Sequence, residues 1–185
     1  MRPLQELATQ IGETLLAQGH LLALAESCTG GLAAASITDL AGSSAWFDSS
    51  VVVYSNQAKQ DLLKVPVETL AQYGAVSEPV AIAMAKGLLT QGRCQISASV
   101  TGIAGPSGGS AEKPVGTVCF AWAHQDGRVV STTQHFSGKV VWILGARRPR
   151  GISDADAHIN HPVLSESDSR GICILNGRED IAHIG

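Results

Sequence analysis

Ser27, Thr29 and Lys59 are the residues of this chain whose types and spacing suit covalent chemistry on an acyl group. Ser27 and Thr29 stand in Ala25-Glu26-Ser27-Cys28-Thr29-Gly30-Gly31. An apolar run at 20–24 precedes them and reads as a short buried strand; the small-residue segment at 32–37 reads as a helix. A hydroxyl- and glycine-rich turn at such a junction lets backbone approach a ligand closely. It also offers helix-start N–H groups, those around Thr29, Gly30 and Gly31, to an anion or oxyanion. The same hydroxyls suit plain helix capping, which is the commoner duty. Lys59 falls one helical turn after a second strand rich in β-branched residues, 50–54, and can point back to the same sheet edge. On a short polar helix, a lysine is more often a solvated surface charge. A serine with a lysine at one edge is the arrangement of a hydrolase whose base is an amine, since no histidine is placed for that role.

The elements that must position these residues follow from periodicity and punctuation. Leu4, Leu7, Ala8, Ile11 and Leu15 share one helical face, with Pro3 near the start and Gly19 past the end. A helix to about Leu40 and an apolar-tailed turn at 41–47 precede the second strand. Ser55 opens a short helix to Leu63, 67–73 forms another, and Ser77 caps a helix to about Leu89 with Val80, Met84 and Leu88 on one stripe. A third strand, 96–101, runs into a glycine-rich loop at 102–109. Segments 116–123 and 129–136 flank Asp126-Gly127, a strong hairpin signal. This order predicts an α/β fold, a three-layer α/β/α sandwich with a mixed, mostly parallel five-stranded sheet and one antiparallel member. In such sheets ligands gather at the carboxyl ends of the strands. Those ends carry Ser27 and Thr29, then Tyr54, Ser55 and Asn56, then Thr101 with Gly102 and Gly105.

Composition narrows the function classes. Hydrophobic residues make up 44% and charged residues 16% of 185, which suits a compact body. A net charge of −3 argues against a nucleic-acid binder. No apolar run reaches membrane-spanning length and no leader pattern opens the chain. Cys28, Cys94, Cys119 and Cys173 have no CxxC spacing and suit reduced thiols in a cytoplasmic protein. The six histidines are scattered and make no metal-ligand pattern; the serine–lysine reading needs no metal and no organic cofactor, and none is expected.

The successive motifs resemble one family. They are the Ala25–Gly31 stretch, Ala41-Gly42-Ser43-Ser44-Ala45-Trp46-Phe47, Tyr54-Ser55-Asn56-Gln57-Ala58-Lys59, Gly74-Ala75-Val76-Ser77, Thr101-Gly102-Ile103-Ala104-Gly105-Pro106 and Lys113-Pro114-Val115-Gly116-Thr117-Val118. In order and spacing they are similar to the CinA C-terminal domain family. The resemblance implies hydrolysis of the carboxamide of nicotinamide mononucleotide, with Ser27 as nucleophile and Lys59 as its paired lysine. It implies assisting positions at Ser44, Tyr54 and Thr101. The partner it implies is a small-molecule nucleotide, with self-association left open. The same domain also occurs in competence- and damage-associated proteins, so the competing readings are a non-catalytic module or a member inactivated by its altered C-terminus; the presence of both Ser27 and Lys59 favours the enzyme.

After Phe136-Ser137-Gly138 the resemblance ends. The family continues with an arginine-containing segment and a long amphipathic helix, whereas Pro149 and Gly151 here break any helix begun nearby. The expected organisation is therefore a domain at 1–138 and a divergent, poorly ordered tail at 139–185, with the family's arginine missing from its usual place.

Overall fold

The computed structural model describes residues 3–136; the expectations for the tail and its arginines lie outside them. Helix α1 spans Pro3–Gln18 and strand β1 Leu22–Glu26, followed by α2 (Leu32–Thr38), one 3-10 turn (Ser43–Ala45) and β2 (Phe47–Val52). Helices α3 (Asn56–Leu63), α4 (Val67–Tyr73) and α5 (Glu78–Gln91) come next, then β3 (Ile96–Gly102), β4 (Thr117–His124) and β5 (Val129–His135). The strand order is β2-β1-β3-β4-β5. β1 pairs parallel with β2 and β3, and β4 pairs antiparallel with β3 and β5. Four strands therefore share a direction and β4 alone is reversed, as the pattern predicted.

Alternation along the strands builds two apolar layers. Leu22, Leu24, Ile96, Ala98, Val100, Phe120 and Trp122 pack under Ala8, Ile11 and Leu15 of α1 and Ala33 and Ile37 of α2. Ala23 and Ala25 face the other way, onto Leu63, Leu70, Val80, Met84 and Leu88 of α3, α4 and α5. Each such aliphatic side chain of leucine size contributes about 1.5–3 kcal/mol on full burial. On the second face β3 presents hydroxyls where a buried strand would ordinarily carry β-branched residues. Ser97 Oγ donates to Ala85 O (2.7 Å), Ser99 Oγ to Ala81 O (2.6 Å) and Thr101 Oγ1 to Ala75 O (2.8 Å). These side chains satisfy themselves on carbonyls of α5 and the turn before it, so they cost little to bury.

One boundary differs from expectation. The second strand begins at Phe47 and ends at Val52, not at 50–54. Leu22 pairs with Phe47 and Ala23 with Ser49, so a register irregularity lets the polar Asp48-Ser49-Ser50 enter the strand. Pairing with β1 decided this, against the local propensity for Val51 to Tyr54.

Candidate active site

The turn after β1 is fastened first by backbone. Ser27 N–H donates to Val100 O at 3.0 Å, extending the β1–β3 ladder one step past the Glu26–Val100 pair and setting Ser27 beside Thr101 in register. Lys59 arrives from α3, whose start is capped by Ser55 Oγ accepting the Ala58 N–H at 3.0 Å. Leu63, one turn on, is locked in the core, and Lys59 itself is 1% exposed. Lys59 is therefore not the solvated surface charge that a polar helix more often carries, and its side chain does point back to the sheet edge. Its Nζ lies 2.9 Å from Ser27 Oγ and donates to Val53 O at 2.8 Å and Tyr54 O at 3.3 Å. Burial lowers its pKa from the ordinary lysine value, and Cys28 opposes this weakly. No carboxylate pairs with it among the described residues.

Glu26, fully buried at the last position of β1, holds the other side of the turn. Its Oε2 accepts from Thr29 Oγ1 (2.5 Å) and the N–H groups of Gly31 (3.0 Å) and Ala33 (3.1 Å). Its Oε1 accepts from Ala34 N–H (2.9 Å) and Ser50 Oγ (3.2 Å). Three donors at the start of α2 are thereby satisfied by an internal carboxylate, which also meets the positive end of the helix dipole. This corrects two readings. Neither Ser27 nor Thr29 caps α2, whose N-cap is Gly31 without a side-chain bond. The helix start is not open to a ligand anion, because Gly31 N–H is on Glu26 and Gly30 N–H is on Ser27 O at 3.2 Å. Thr29, 4% exposed, likewise spends its hydroxyl proton on Glu26. A glutamate closing an apolar strand was the one signal in the sequence that could have found this clamp.

The remaining candidates divide. The structure brings together Ser27, Lys59, Thr101 and the Tyr54 carbonyl. Thr101 is buried and its hydroxyl proton goes to Ala75 O. The Tyr54 side chain is 75% exposed, and Asn56 is exposed beside it in sequence. Gly102 abuts the turn, since a Cβ there would lie 3.1 Å from Cys28 Sγ and 2.8 Å from Thr117 O. Gly105, at φ +75°, is packed against Val115. Ser44 is not part of this cluster. It sits exposed before β2, and Trp46 O accepts from Leu22 N–H at the opposite end of β1. Five residues at about 3.3 Å each separate the two ends of that strand.

The neighbouring thiol is chemically quiet. Burial pushes Cys28 up to about 12, which leaves it protonated and a poor nucleophile. Among the described residues no group of three or more His, Cys, Asp or Glu side chains is placed to hold a metal ion. No helix among them is long and apolar enough to cross a membrane.

A buried amine thus meets a serine hydroxyl at the carboxyl edge of a mixed sheet between two helical layers, in an α/β/α domain. The CinA C-terminal domain model matches residues 4–144, and the chain belongs to that family. It is 58% identical over 135 residues to a protein named nicotinamide-nucleotide amidohydrolase PncC from Enterobacter agglomerans, covering 73% of this chain and 82% of that one. The namesake from Escherichia coli K12 is 53% identical over the same shares. Among solved structures, the competence/damage inducible protein CihA of Agrobacterium tumefaciens superposes with a TM-score of 0.72 at 45% identity, covering 74% of this chain and 83% of that one. A CinA superfamily protein of Klebsiella pneumoniae gives 0.73 at 38% identity, with 77% and 89% covered.

Proposed function

We propose that this chain hydrolyses the carboxamide of nicotinamide mononucleotide to the carboxylate, releasing ammonia, with Ser27 as nucleophile and Lys59 as base. The relatives named for that activity, matched over most of their length, supply the substrate. The observation that carries the mechanism is the 2.9 Å approach of Lys59 Nζ to Ser27 Oγ, both side chains being buried. A neutral amine has two N–H groups and one lone pair. Val53 O and Tyr54 O take the two N–H groups, so the lone pair is left for the Ser27 hydroxyl proton. Desolvation favours this neutral form.

Ser27 Oγ attacks the carboxamide carbon while its proton passes to Lys59 Nζ. Lys59 returns that proton to the departing nitrogen, ammonia leaves, and an acyl ester remains on Ser27. Water, deprotonated by Lys59, then attacks the ester; Lys59 passes that proton to the departing Ser27 Oγ, which frees the carboxylate and restores the enzyme. The exposed Tyr54 ring offers a π face to the cationic pyridinium ring of the substrate, an interaction of about 0.5–2 kcal/mol. The 102–109 loop remains for the phosphate, the start of α2 being filled.

The test is ammonia release from nicotinamide mononucleotide by the purified chain, followed with Ser27→Ala and Lys59→Ala. Wild-type turnover and its loss in both variants are expected. Near-normal turnover by either folded variant would sink the dyad.

A further inference from the structure

Resting on the dyad read above, we propose that Glu26 is a positioning residue: its carboxylate fixes the 27–31 turn so that Ser27 Oγ stays on Lys59 and the Cys28 and Thr29 amides stay uncommitted for the developing oxyanion. Glu26 cannot touch substrate, since it is fully buried and its oxygens already accept five hydrogen bonds. Strand alternation places it toward α1 and α2, while Ser27 and Lys59 lie on the α3–α5 side. Its influence on the reaction therefore runs through the turn.

The turn's amides can be accounted for one at a time. Ser27 N–H is on Val100 O, Gly30 N–H on Ser27 O and Leu32 N–H on Thr29 O. Gly31, Ala33 and Ala34 N–H are on Glu26. Neither Thr29 N–H nor Cys28 N–H meets an acceptor on another residue among the described residues. These two amides directly follow the serine, where acyl-transfer sites commonly draw an oxyanion donor. By occupying the other donors, Glu26 decides which N–H groups remain. Through Thr29 Oγ1 on one side and Ser50 Oγ on the other, it also ties the turn to β2, the strand that leads to Val53 O and Tyr54 O. One carboxylate thus sets the serine relative to the carbonyls that hold the lysine.

Glu26→Gln and Thr29→Val test this with nicotinamide mononucleotide as substrate. Gln keeps the size but turns one acceptor into a donor facing other donors. Val keeps the shape of Thr29 and removes one of the five bonds, so it folds even if the Gln variant does not. Expected are a kcat fall of at least tenfold for Glu26→Gln and about three- to tenfold for Thr29→Val, with KM changed less than twofold. Glu26→Asp should recover less than wild type, because the shorter side chain cannot span both sides of the turn. A drop in melting temperature with wild-type kcat per folded molecule in both variants overturns the proposal. So does a raised KM at unchanged kcat. Ser27→Ala and Lys59→Ala run alongside. If these retain activity, the dyad reading has failed; if they are dead while Glu26→Gln turns over normally, only the positioning role has failed.

Discussion

Lys59 and Ser27 lie 32 residues apart in sequence, and their side chains meet at 2.9 Å with no carboxylate or histidine between them. In the proposed mechanism the amine serves as a base because burial takes it out of solvent and no carboxylate pairs with it among the described residues. Replacing Lys59 with Arg keeps a long basic side chain but fixes it as a cation without a lone pair, since a guanidinium stays protonated. Lys59→Arg should therefore lose as much ammonia release as Lys59→Ala, about a thousandfold or more, as for other paired nucleophile–base sites. An arginine variant retaining a tenth of wild-type kcat would show that the charge, not the base, is needed.

Burial of Lys59 also leaves a signature in stability. Its folded pKa is depressed, so the unfolded chain binds more protons between that value and the ordinary lysine pKa. Stability from this group is thus present above the unfolded pKa and is lost as pH falls through that window. Melting temperatures compared with Lys59→Met over the alkaline range should show the wild type gaining with pH relative to the variant. Parallel curves would mean that Lys59 is charged in the fold. For the same reason kcat/KM should rise with pH as one proton leaves, then level off.

The position of α3 depends on a glycine that no chemistry touches. A Cβ at Gly87 of α5 would collide with the Leu63 carbonyl at the end of α3. Gly87→Ala must push the two helices apart, at a cost of about 1–3 kcal/mol typical of overpacking. Because α3 carries Lys59, kcat should fall along with the melting temperature. Unchanged values of both would show that the contact relaxes freely.

Cys28 adjoins the proposed nucleophile but should not react. With its thiol pushed up to about 12, only about 1 in 10,000 molecules carries thiolate at pH 8. Iodoacetamide at that pH should leave the peptide containing Cys28 unmodified by mass spectrometry in the native protein and label it after unfolding. Rapid native labelling would place the sulfur in solvent.

The succession of elements was legible because its signals are local. The α1 face, the Ser55 and Ser77 caps, the 67–73 helix and the Asp126-Gly127 hairpin each depend on neighbours within a few residues, and each formed where those neighbours said. Ser27 at a strand end and Lys59 one turn after another strand were legible as residue types at an edge. Their contact was not. Asn-Gln-Ala-Lys-Gln-Asp-Leu-Leu reads as a polar surface helix, and only the closure of β1, β2 and α5 around it takes the amine out of water. Pairing with β1 moved the second strand to Phe47 and put Ser44 a strand length from the serine. Glu26 stands in the turn stretch, and only the fold brings the start of α2, Thr29 and Ser50 onto its carboxylate. The chain's own order fixes where helices and strands begin, since capping and periodicity are short-range. Which polar group ends up buried, and against what, is decided by segments distant in sequence that supply its partners.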